Sequence, residues 1–243
     1  MKNNLSTIII AIAVIVFALI IGNAYKYKFV STETISVTGL AETNFTSDLI
    51  VWKGSYSRTG NDLKQVYADI KQDEILIKNY LKEKGLPDSS LIFSSIDVTK
   101  NYQTKYSDNG NILGNTFSGY TLSGGVKVES KNIELVEKIS REVTELLQKG
   151  IEFTSLKPSF YFTKLHELKI DLLAKAAADA KLRAETIAKS SGISISSLKH
   201  AVTGVFQITG TNDNEEYSYG GSFNTSSKFK TASITIRSEY LCK

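Results

Sequence analysis

The 243-residue sequence holds two histidines, His166 and His200, and one cysteine, Cys242, so its stock of neutral-pH bases and nucleophiles is small. His166 stands beside Glu167 and about one helical turn before Asp171, from which a base–carboxylate pair for general acid–base hydrolysis can be drawn. His200 falls in or near an extended segment. Neither histidine is accompanied by a cysteine or a spaced carboxylate set that would complete a metal site. A single cysteine excludes a disulfide framework, a cysteine-rich zinc site or an iron–sulfur cluster within one chain. The Gly-x-Ser-x-Gly elbow, the phosphate-binding glycine loop and the His-Glu-x-x-His motif are absent. These residues predict a protein that is not an enzyme, with no catalytic, metal-binding or cofactor-binding residue and no cofactor. A hydrolase using His166 is the weakest reading kept. Cys242, next to the last residue, reads as passive, against the alternative of an exposed thiol linking two chains.

The elements that would have to position such groups are clearer. With 42% hydrophobic and 22% charged residues the chain is globular, enough for one large domain or two small ones. Its net charge of +4 is too small an excess for binding along a phosphate backbone, so no nucleic-acid partner is expected.

The N-terminus carries the strongest signal. Residues 3–25 bear no charge, and Ile8, Ile9, Ile10, Ile12, Val14, Ile15, Val16, Phe17, Leu19, Ile20 and Ile21 form an apolar run broken only by alanine. As a helix this segment is just long enough to cross a bilayer as a single-pass anchor. It also has the order of a secretory signal peptide, with Lys2, the apolar run, and a small-x-small cleavage site ending at Ala24. Lys2 and the free amine on one side are matched by Lys26 and Lys28 on the other, so charge does not choose between the two. No cysteine follows the run, which excludes a lipoprotein anchor. Both readings make residues 1–24 an address or anchor, 25–32 a linker, and 33–243 a domain on the periplasmic or outer face of the cytoplasmic membrane. An exported domain without disulfides must be held by its core.

Within that domain, Thr34–Gly39 and the series Ile50, Trp52, Gly54, Tyr56 alternate with period two and predict strands. Leu63, Val66, Ile70, Ile77 and Leu81 then fall on one helical stripe, ended by Gly85-Leu86-Pro87. Ile92, Ile96 and Val98, an Asn109-Gly110 turn, and Tyr120, Leu122, Val126 and Val128 predict a long hairpin. A second helix from Asn132 is expected to bury Val136, Ile139, Val143 and Leu146 or Leu147, stopping at Gly150. Residues 151–162 read as one aromatic-rich strand with Pro158 marking an edge or bulge. A third helix over 163–190 shows Leu165, Leu168, Leu172, Ala176, Ala180, Ala184 and Ala188 on one face. Residues 195–208 and 233–241 make a closing hairpin around a polar insert, about 209–227, expected to be mobile.

The order suggests two strand–helix–strand–strand units joined by the second helix. Gly85-x-x-x-Ser89-Ser90-Leu91 and Gly192-x-x-x-Ser196-Ser197-Leu198 recur at equivalent places. The fold class expected is α+β, an antiparallel-rich sheet with helices on one face, preceded by the N-terminal hydrophobic helix. Three segments, Ile35-Ser36-Val37-Thr38-Gly39-Leu40-Ala41-Glu42, residues 176–188 closing at Gly192, and Ala232-Ser233-Ile234-Thr235-Ile236, resemble the SIMPL-domain family. The chain is similar to the bacterial branch of that family that includes periplasmic immunogenic and oxidative-stress-defence proteins. The resemblance spans roughly residues 33–241. It implies an exported α+β domain without known catalytic residues, in a family with a ring-forming member.

The function expected is a cell-envelope scaffold or interaction protein that self-associates into a homo-oligomer, with an envelope or oxidative-stress role. The membrane is a partner through residues 1–24 if they are not cleaved. Ala176, Ala180 and Ala184 are candidate oligomer contacts, although a helix packed on its own sheet is the simpler reading of that stripe. The alternative is a binding module for a hydrophobic ligand or cell-wall component, using Phe160-Tyr161-Phe162 and the insert aromatics Tyr217, Tyr219 and Phe223.

Overall fold

The computed structural model of the protein describes residues 2–30, 33–214, 216 and 218–243. Helix α1 runs over Lys2–Val30, and its Ile8–Lys26 part is long and apolar enough to cross a membrane. None of that part is buried, so it adds nothing to the core of the domain. The helix is compatible with either a signal peptide or an anchor, and Ala24 lies within it.

The remaining chain is α+β and builds two sheets. The terminal sheet contains β1 (Thr34–Thr46), β8 (Ile195–Thr203), β9 (Gln207–Gly210), β10 (Ser222–Phe223) and β11 (Phe229–Cys242). In it β11 is central, pairing with β1 along Thr34↔Leu241 to Thr46↔Phe229 and with β8 and β9 on its other side. The central sheet contains β2 (Leu49–Gly60), β3 (Leu91–Phe93), β4 (Asp97–Tyr106), β5 (Ile112–Ser130), β6 (Glu152–Ser155) and β7 (Ser159–Tyr161). All pairings are antiparallel except β9 with β10.

Side-chain alternation explains which faces are buried. Ile50, Trp52 and Tyr56 of β2 and Leu122, Val126 and Val128 of β5 point one way, onto α2 (Leu63–Glu83) and α3 (Ile133–Glu142). Helix α2 starts where the Asp62 carboxylate accepts hydrogen bonds from the Lys64 and Gln65 amides. It buries Val66, Ile70, Ile77 and Leu81, while Leu63 stays exposed. The Asn132 side chain caps α3, and a 3-10 turn over Val143–Lys149 carries Val143 and Leu146 inward and leaves Leu147 outside. Burying Trp52 also required satisfying its indole: Nε1 donates to Ser155 Oγ at 3.0 Å, and that hydroxyl donates to the Ser140 carbonyl.

Helix α4 (Leu165–Ser190) covers the terminal sheet with Leu172, Ala176, Ala180, Ala184 and Ala188, all buried. It lies mainly over β1 and β11. The approach is close because Gly39 of β1 has no side chain: a Cβ there would overlap the Ala176 carbonyl oxygen and lie 2.5 Å from the Ala180 nitrogen. Both α2 and α4 end at a glycine with positive φ, Gly85 and Gly192, the two glycines of the recurring motif.

The structure departs from the sequence reading in several places. Residues 151–162 are two strands, β6 and β7, divided around Pro158, where a missing N–H interrupts the ladder. Both pair with β2, not with the segment after α4. The strand–helix–strand–strand plan is present twice, but as β2-α2-β3/β4-β5 and β1-α4-β8/β9-β11, so the first strand of the second unit is β1. Near residue 92 the alternation is shifted by one, with Leu91 and Phe93 against the core and Ile92 exposed. The insert carries β10, and the buried Lys230 ammonium donates to the carbonyls of Asn224 and Phe160. Together with Phe160 N–H to Thr225 O at 2.7 Å, this ties the insert to the central sheet. Tyr217 lies outside the described residues.

Candidate functional site

The residues singled out for chemistry do not come together. His166 and Glu167 are exposed at the start of α4, and Asp171, five positions on, pairs with Lys175 at 2.7 Å. Five residues on a helix turn two side chains well apart, so His166 and Asp171 point to different sides. His200 lies on β8 opposite Glu239 of β11, on another element. Glu239 accepts hydrogen bonds from Thr34 Oγ1 at 2.7 Å and Lys199 Nζ at 3.3 Å, which hold its carboxyl below the usual range. Among the described residues no group of three or more His, Cys, Asp or Glu could share a metal ion. Cys242 is half-buried at the end of β11, where its N–H donates to the Glu33 carbonyl.

Ala176, Ala180 and Ala184 have 0% exposure and pack on β1 and β11 of their own chain. They are therefore not available to a neighbouring subunit; the small-residue face is already filled by Gly39, Val37 and Ala41. Asp179, on the rim of that contact, accepts from the Leu40 N–H at 2.9 Å and pairs with Arg183 at 2.8 Å. The Leu40 amide first, and the Arg183 guanidinium with it, hold the Asp179 carboxyl below its usual range. Of the aromatic strand, Phe160 is buried in the central core, and Phe162 packs on Phe45 across the two sheets at 4.9 Å.

Apart from α1, an uncovered apolar feature is the ribbon of β4 and β5, the long hairpin expected around Asn109-Gly110. Residues 120–130 of β5 pair with β2, but residues 112–119 pair with β4 alone, so the hairpin runs past the sheet as two strands. A bulge at Gly119, whose φ is 121°, sets Phe117 opposite Tyr102. On one face the partners are Val98 and Leu122, Lys100 and Tyr120, Tyr102 and Phe117, Thr104 and Asn115, Tyr106 and Ile112. That face continues the core: Leu122 is buried, Tyr120 partly so, and edge-to-face contacts of 5.0 Å and 6.1 Å carry the aromatic row on through Phe117 to Tyr102. Beyond that point nothing among the described residues covers it. Val98, Tyr102, Tyr106, Ile112, Leu113 and Phe117 are all exposed. The opposite face carries Thr99, Asn101, Gln103 and Lys105. The ribbon is thus amphipathic, with its apolar side directed as the core is directed.

The profile of the SIMPL family, described as a protein of unknown function (DUF541), matches residues 35–239, from the first strand to the last. No curated protein matches the chain.

Proposed function

The chain belongs to the SIMPL family, and from that premise we propose that it is an exported, non-enzymatic protein of the cell envelope that works by self-assembly. The observation that carries the reading is the β4–β5 ribbon. A two-stranded ribbon is marginal in water by itself, and one with an uncovered aromatic and aliphatic face is stabilised by burying that face against another molecule. The exposed Ile8–Lys26 part of α1, compatible with export or anchoring, supports placement in the envelope, and His166, which has no carboxylate partner among the described residues, gives no support to hydrolysis. Support of envelope integrity under oxidative stress is the physiological role proposed with it.

Residues 26–243 retain every buried residue of both sheets, so their mass in solution tests the assembly directly. Light scattering at tens of micromolar should give a multiple of the chain mass. Tyr102→Ser with Phe117→Ser should shift it toward the monomer without changing the far-ultraviolet circular dichroism. A strictly monomeric wild-type domain would remove the proposal.

A further inference from the structure

Among the described residues α4 is the one helix packed substantially on the terminal sheet, and one corner of the sheet's other face holds an open groove of about 650 Å³. Three strands make the floor. Leu40 and Glu42 of β1 stand opposite Thr235 and Ser233 of β11, and Gln207 of β9 stands on the far side of Ser233. The wall is the chain at Gly204–Val205 and Ser218–Tyr219.

This wall is held in place by Gln207. Its Nε2 donates to the Ser218 carbonyl at 2.8 Å, and its Oε1 accepts from the Ser222 N–H at 2.8 Å and the Ser218 N–H at 3.3 Å. Gly204 N–H donates to the Thr235 carbonyl at 2.8 Å and pins the other end. The backbone of the wall is therefore set before any ligand arrives, which lowers the ordering cost of binding, while the Tyr219 side chain stands fully exposed and has to turn onto the ligand.

Its chemistry is specific in sign. Leu40, Val205 and Tyr219 present exposed apolar and aromatic surface. Among the described residues Glu42 is the one charged member of the lining; it is exposed and makes no hydrogen bond or ion pair with any of them. A carboxylate without a partner, set in an apolar groove beside an aromatic ring, favours an organic cation over an anion or a neutral amphiphile. We propose that this groove binds a primary alkylammonium ion, with the ammonium on Glu42, the alkyl chain along Leu40 and Val205, and the Tyr219 ring against it. The site lies on a different sheet from the β4–β5 ribbon and does not depend on self-assembly.

The probe is n-butylammonium, followed by saturation-transfer NMR on the full chain in lipid nanodiscs, with empty nanodiscs as the blank. A ligand this small binds in roughly the millimolar range. Glu42→Gln should weaken binding about tenfold and Tyr219→Leu about threefold, with the melting temperature unchanged in both. Butyrate and butanol should bind more weakly than butylammonium. No wild-type transfer at about 10 mM, equal transfer to butyrate, or full affinity in the Glu42→Gln variant would each overturn the assignment.

Discussion

Replacing Gly39 with alanine adds one methyl group at the point where α4 comes closest to the terminal sheet. The atoms it meets are the Ala176 carbonyl oxygen, the Ala180 nitrogen at 2.5 Å and the Ala180 Cβ at 2.7 Å. Two of the three are backbone, so no rotamer change relieves the overlap; α4 has to lift by roughly 1 Å to restore van der Waals separation. A gap of that size forfeits a quarter to a half of each dispersion contact along Leu172, Ala176, Ala180 and Ala184, and these residues have no exposure from which to regain it. Overpacking of this kind costs about 3 kcal/mol, the upper part of the usual range. For a folded region of roughly 210 residues that corresponds to a fall in melting temperature of about 6–12 °C. Calorimetry of the Gly39→Ala variant tests it, with Gly220→Ala as control, because the nearest atom to a Cβ there is 4.0 Å away. Combining Gly39→Ala with Ala180→Gly removes the Cβ contact but neither backbone contact, so rescue should be partial. A Gly39→Ala melting temperature within about 2 °C of wild type would refute the packing argument.

Ser155→Ala strands the Trp52 indole N–H and removes the hydroxyl that donates to the Ser140 carbonyl, so it should cost about 2 kcal/mol in a denaturant titration. Ser155→Thr, which keeps the hydroxyl, should lose less; an alanine variant as stable as wild type would mean that the hydrogen-bond chain is dispensable. Asp179→Asn keeps an acceptor for the Leu40 amide but removes the charge beside Arg183. Because the folded carboxyl titrates below its ordinary 3.8, its contribution is complete above that value and is lost as pH falls through the folded value. The difference in melting temperature between wild type and Asp179→Asn should therefore be widest near neutrality and close below about pH 3.8; a gap independent of pH would contradict the ionic origin.

Local periodicity made the elements legible and left their pairing hidden. Ile50, Trp52, Gly54 and Tyr56 alternate because β2 has one buried face, and all four are buried. The stripes of α2 and α4 were readable for the same reason. The partner of the alanine stripe was not, since Gly39 lies more than a hundred positions earlier and its fit to Ala176 and Ala180 is a property of two distant segments. A glycine inside an alternating strand and a row of alanines on a helix are complementary signals, and taken together they point to each other. The division into two sheets was hidden likewise: strand alternation says which side is buried, not which strand lies alongside. The hairpin was legible from Asn109-Gly110, but its overhang was not: Tyr102, Tyr106 and Phe117 have the pattern of half-buried strands, and only the end of β2 at Gly60 shows that support stops short of them.

The thirteen-residue ladder between β1 and β11 closes the domain with segments from its two extremes, Thr34 facing Leu241 and Thr46 facing Phe229. A chain that emerges from a ribosome or a translocation channel N-terminus first has every strand of the central sheet once residue 161 is out. The terminal sheet must wait for the residues up to 242, because its middle strand is made last. During that interval β1 is an extended segment with both edges free, and the central sheet has time to form between the two halves of a pairing that does not yet exist. Order of synthesis thus becomes order of folding, and a stalled or truncated chain lacking β11 would hold an intact central sheet and an unpaired, aggregation-prone strand.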